Sequence, residues 1–287
     1  MLTRTFVNSL RQWPLLVLLF LLTLLPAMPV SLALFGTIDS EANGSLAPLA
    51  VLPEFNYTIF SDFMHDHGNA IWPLIRAGWW TAVLSLLVSV WARGGVLYSF
   101  TNGFRAVSFW QSGTHYFGRN LRLLGVTSLF VLLWLVVLIL VGSVIGLLLD
   151  VVFDDPFTER GYVAIGVAGS LVFGLVLVCL LCTSQYASVL MYHTDETAAF
   201  RAFRQSWRFI GQHRLATFGR YLLLILIGTA LFGGYFWVES LVQAHNWLSI
   251  GLVFVIQQAF VFSRVALTVW SLRIAFDTSR TLLINPS

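Results

Sequence analysis

Apolar residues in this chain fall in long uninterrupted blocks rather than in alternation. Six such runs cover about 14–35, 72–92, 123–149, 162–191, 219–241 and 248–272. Each is long enough to cross a hydrocarbon layer of about 30 Å as a helix, which satisfies its own backbone hydrogen bonds. The short alternating segments of a transmembrane barrel are absent from the pattern. The expected fold is therefore all-α, a polytopic membrane helical bundle. It has six transmembrane helices in a single membrane domain over 1–287. The polar stretch 36–71 is expected to be an extracytoplasmic loop, with apolar clusters that rest against the helix ends. Stretches 93–122 and 192–218 are expected to be cytoplasmic elbows, each carrying an amphipathic helix.

The second elbow reads DETAAFRAFRQSWRFIGQH over 195–213. On a helix, Ala199, Phe200, Phe203, Trp207 and Ile210 share one face, while Arg201, Arg204, Gln205 and Arg208 share the opposite one. Thr194 or Asp195 is placed to cap its start, and Gly211 to end it. Such a helix is expected to lie in the plane of the membrane surface, aromatics inward and arginines toward the headgroups. A shift of 98 residues lays Ser108, Gly113, His115, Arg122 and Leu124 on Ser206, Gly211, His213, Arg220 and Leu222. That offset also superimposes spans two and three on spans four and five, the pattern of a parallel repeat.

Composition and charge add orientation. Hydrophobic residues make up 58% of the chain and charged ones 10%, too few to cover a soluble domain. Every basic residue is arginine. Arg4, Arg11, Arg93, Arg105, Arg119, Arg122, Arg201, Arg204, Arg208, Arg214, Arg220, Arg273 and Arg280 fall at the termini and in the two elbows. The other connecting segments hold nine acidic residues, from Asp39 to Glu159, against Arg160 alone. Arginine-rich segments stay cytoplasmic, so both termini are expected inside, in a bacterial inner membrane. Trp72, Trp79, Tyr162, Trp237 and Trp247 then lie near outer span ends, and Trp13, Trp91, Tyr192 and Trp270 near inner ones. Because the basic residues flank membrane spans, nucleic-acid binding is not expected. The first run resembles a signal peptide, with Ser31-Leu32-Ala33 as a small-residue triplet. It is read as a retained helix because it continues past Pro26 and Pro29. The N-x-S/T triplets at Asn43 and Asn56 would matter only in a secretory pathway.

Candidate chemistry is sparse. Arg264, Gln257, Gln258 and Ser263 form the most polar patch within a span, and Arg76 and Glu239 sit at matching depth near the outer ends, where they could pair. Asp62, His65, Asp66 and His67 form a weak candidate metal group. A structural polar contact and a solvated loop, respectively, are the plainer readings of these two groups. Cys179 and Cys182 in VCLLCT are read as small buried residues. Gly142-x3-Gly146, and Gly166, Ser170 and Gly174, are expected to bring helices together within the bundle, with a homodimer face as the alternative. No catalytic motif, Walker loop or paired intramembrane acid is present, so no enzyme activity and no cofactor is expected.

The stretches AFRAFRQSWRFIGQHRLATFGRYLLL, FNYTIFSDF, ARGGVLYSF and SFWQSGTHYFGRNLRLL are similar to those of an uncharacterised six-span family of bacterial integral membrane proteins. That family is loosely similar to the membrane domain attached to some glycerophosphodiester phosphodiesterases. The resemblance covers most of the chain and implies fold and topology. It carries over no catalytic residue, since the phosphodiesterase barrel is a separate domain not expected before Ser287. The function expected from all of this is non-catalytic: a scaffold, an accessory subunit or a lipid-interacting module. Its partners would be anionic headgroups at the cytoplasmic face, a protein or a second copy. The alternative is a small-molecule or lipid transporter or channel with its polar site at Arg264 and Gln257.

Overall fold

Helix continues well beyond the apolar runs that predict it. The computed structural model describes residues 5–7, 9, 11–42, 57–152, 159–242 and 247–284. These form α1 (Trp13–Ala42), α2 (Tyr57–Asn102), α3 (Ala106–Val152), α4 (Glu159–Thr194), α5 (Ala199–Gln212), a π-helical turn (Leu215–Gly219), α6 (Arg220–Leu241) and α7 (Trp247–Ile284). Six of the helices are long and apolar enough to cross a membrane. At 46 and 47 residues, α2 and α3 are each about 70 Å long, more than twice a hydrocarbon thickness.

Those extra turns change two expectations. Residues 36–42 belong to α1 and 57–71 to α2, so helix takes up both ends of the expected outer loop; Asn43 and Asn56 lie outside the described residues. The segment 93–122 is not a separate elbow helix. It is the end of α2 and the start of α3, joined by a three-residue turn at 103–105. Gly103 takes φ +79 there, and its amide donates to the Ser99 carbonyl at 3.1 Å, a left-handed helix stop that suits glycine. The two arms close tightly because Gly94, Gly95 and Gly113 face the neighbouring arm. A Cβ on Gly113 would come within 2.8 Å of the Trp91 ring, and one on Gly95 within 2.5 Å of Phe109. Gly113 and Gly211, paired at offset 98, therefore sit in different surroundings, since a Cβ on Gly211 would meet nothing within 4 Å.

Packing concentrates at the end of the bundle that carries this turn, here the elbow end. Its core joins Leu15, Leu16 and Leu19 of α1 to Val96, Leu97 and Phe100 of α2, Phe109 of α3, Tyr186 of α4 and Val269 and Phe276 of α7. Polar contacts stitch α3 to α4 in the same region: Thr127 Oγ1 donates to Ser184 Oγ at 2.9 Å, and Ser188 Oγ to Asn120 Oδ1 at 3.2 Å. Toward the far end most apolar side chains of α3, α4 and α6 are exposed. Gly142, Gly146, Gly166 and Gly174 fall there, and a Cβ on any of them would meet nothing within 4 Å. Those four glycines therefore do not mark close contacts within the bundle, whereas a Cβ on Gly169 of α4 would meet Leu138 of α3 at 3.7 Å.

Candidate functional site: the α5 elbow

The chain leaves α4 through Asp195, whose φ of 53 is tolerated by a short polar side chain. Asp195 does not cap α5. Its carboxylate instead accepts a hydrogen bond from Arg119 of α3 and forms an ion pair with it. Thr194 bonds back to the Leu190 carbonyl. The residue before α5 is Ala198, whose amide donates to Glu196 Oε1 at 3.3 Å, so the acid one residue further along supplies the first-turn acceptor. The Arg119 guanidinium holds the Asp195 carboxyl below its usual range. The pair is therefore fully formed above the ordinary aspartate value of about 3.9 and is lost as pH falls through the lower folded value. Protection of amides at the start of α5, measured relative to their intrinsic exchange rates, is expected to fall only in that acid window, and Asp195→Asn is expected to remove this pH-dependent loss of protection.

The periodicity places Ala199, Phe200, Phe203, Trp207 and Ile210 on one face, and the structure buries a narrower stripe beside it. Ala199, Ala202, Phe203 and Ser206 are buried against α4 and α3. Small residues on that stripe let α5 approach closely, which turns its larger neighbours out to the sides. Phe203 stacks on Phe130 of α3 with ring centroids 5.0 Å apart. Phe200 and Trp207 flank it at 61% and 54% exposure. Together with Leu180 and Arg204 these rings line an apolar groove of about 300 Å³. Arg201, Arg204 and Arg208 are exposed, and Arg201 reaches Glu196 at 3.4 Å. The helix ends at Gln212, one residue past Gly211, where the His213 amide donates to the Phe209 carbonyl.

The other candidate residues are dispersed. Arg264 is exposed on α7, whereas Gln257 is half-buried and its Nε2 lies 3.5 Å from Glu239 Oε1. Gln258 Oε1 is buried without a hydrogen-bond partner, and Ser263 bonds its own helix. Among the described residues none of these hydrogen bonds joins Gln257, Gln258 or Ser263 to the Arg264 side chain. Arg76 is exposed, and Glu239 is engaged by Gln257 rather than by Arg76. His65 is exposed on α2, and positions 65 and 67 of a helix do not share a face; the side chains of Asp62, Asp66 and His67 lie outside the described ones. Among the described residues no three potential metal ligands come together.

One residue passed over in the sequence stands out. Arg93 reads as the first charge after a span, yet it lies inside α2 and borders two cavities between helices. The serines four and eight residues before it, Ser89 and Ser85, were the available signal. Comparison with family models, with curated proteins and with solved structures yields no match.

Proposed function

We propose that this protein is a non-catalytic, lipid-interacting module of the bacterial inner membrane, spanning it six times with both termini in the cytoplasm. In this reading α5 is an interfacial amphipathic helix seated among anionic headgroups of the inner leaflet. The observation that carries it is the pairing on α5 of exposed Phe200 and Trp207 beside an apolar groove with three exposed guanidinium groups. Aromatic rings in the acyl boundary and arginines at phosphate level are the arrangement such helices use. The arginine bias of the termini and elbows supports the orientation.

Each arginine near an anionic surface contributes about 1 kcal/mol, somewhat less for Arg201 because Glu196 competes for it. Replacing Arg201, Arg204 and Arg208 with glutamine is therefore expected to lower retention of phosphatidylglycerol by roughly tenfold or more. Retention of phosphatidylcholine should be unchanged. Native mass spectrometry of protein released from nanodiscs of either lipid reads the difference. Equal phosphatidylglycerol retention by the triple variant would remove the lipid reading. A stoichiometric protein partner lost in that variant would make the protein an accessory subunit with α5 as its docking helix.

A further inference from the structure

We propose that Arg93 is the centre of an oxyanion-binding site inside the helical body, which takes the phosphate or carboxylate group of an anionic ligand. The two cavities it borders hold about 300 and 310 Å³ and share Arg93, Thr268 and Leu272 in their walls. Arg93 is the only arginine or acid among the lining residues of either. Among the described residues it has no ion pair and no hydrogen bond. The ion pairs there are Arg119–Asp195, Arg201–Glu196 and Arg273–Asp277, while Arg220 donates to Thr278 at 2.8 Å. A guanidinium half-buried between helices with no acid beside it carries a desolvation cost, and an oxyanion bound in its fork offsets that cost.

The surroundings supply further donors on one side and a largely apolar cavity on the other. In the second cavity Arg93 faces Tyr221, its titratable neighbour, and Ser184. The Tyr221 hydroxyl has no hydrogen-bond partner among the described residues. Ser184, whose hydroxyl lies 2.9 Å from that of Thr127, lines the same wall. The π-helical turn at Leu215–Gly219 ends two residues before Tyr221, and π-turns recur at functional positions. The first cavity continues from Arg93 between Leu19 and Leu22 of α1, Val88 of α2 and Val265 of α7, walls suited to an acyl chain. The same oxyanion chemistry also fits a free phosphate. The site shares no residue with the α5 groove and does not rest on the reading of α5.

The test uses the full chain in neutral detergent with two probes, dodecyl phosphate and inorganic phosphate, read by native mass spectrometry and thermal stability. Wild type is expected to bind one equivalent of a probe, with affinity at least about tenfold lower in Arg93→Gln and about tenfold lower in Tyr221→Phe. Binding of dodecyl phosphate alone identifies an anionic lipid headgroup as the source, and stabilisation by inorganic phosphate identifies a free anion. No binding of either probe to wild type, or undiminished binding in Arg93→Gln, overturns the proposal. Should Arg93→Gln not fold, Tyr221→Phe decides, and wild-type affinity in that variant overturns it equally.

Discussion

Replacing Gly95 with alanine is expected to destabilise the protein by about 1–3 kcal/mol or more, although the same change in a free helix stabilises by up to about 1 kcal/mol. The sign is set by the turn-linked pair α2 and α3. A Cβ at Gly95 would lie 2.5 and 2.7 Å from the Phe109 ring and 2.8 Å from the Phe109 carbonyl oxygen. The ring could tilt, but the carbonyl belongs to the backbone of α3 and moves only if the helices part. Gly118 is the control: it lies on the same pair of helices with nothing within 4 Å of its Cβ position, so Gly118→Ala is expected to be neutral or stabilising. Unfolding of the two variants in detergent by heat or denaturant measures both signs. A Gly95→Ala variant as stable as Gly118→Ala would contradict the tight α2–α3 contact.

Phe109→Ala is expected to cost about 3–5 kcal/mol. Phe109 is fully buried, packs edge-on against Trp91 with centroids 5.5 Å apart, and touches Phe104 and Trp110. Its loss leaves a void in the core that α3 shares with α1, α2, α4 and α7, beside the tight α2 contact at Gly95. Neighbouring Trp110 is about half exposed and should cost far less on truncation. Because Gly95 and Phe109 are in contact, their effects should not add. The double variant Gly95→Ala with Phe109→Ala is expected to be more stable than the sum of the single losses implies, since the missing ring makes room for the added methyl.

Much of the fold is legible in the sequence because crossing a membrane needs long apolar runs, and six of them stand out. The rest depends on how the ends of the helices pack, which hydropathy does not record. The segment 93–122 shares polarity and several residues with 192–218, yet Gly94, Gly95 and Gly113 let α2 and α3 run on side by side. In 192–218, Asp195 breaks the helix and α5 folds back on the body. A helical wheel groups Phe200 and Trp207 with Phe203, but Ala199, Ala202 and Ser206 define the line of closest approach and leave those two rings at the sides. Arg93 is invisible for a similar reason. At the end of an apolar run it looks like an ordinary boundary charge, and only the arrival of α4, α6 and α7 forms the cavity it borders.

The central claim is that α5 lies in the headgroup plane with Phe200 and Trp207 toward the acyl chains. The measurement that tests it most directly is electron paramagnetic resonance with nitroxide labels placed singly at 200, 201, 204, 207 and 208. The two native thiols, Cys179 and Cys182, are first replaced by alanine, and the protein is placed in phosphatidylglycerol-containing bilayers. Relaxation by oxygen, which concentrates in hydrocarbon, should dominate at 200 and 207. Relaxation by a water-soluble nickel chelate should dominate at 201, 204 and 208. Equal access of the chelate to all five positions would place α5 in water, away from lipid, and would contradict the account.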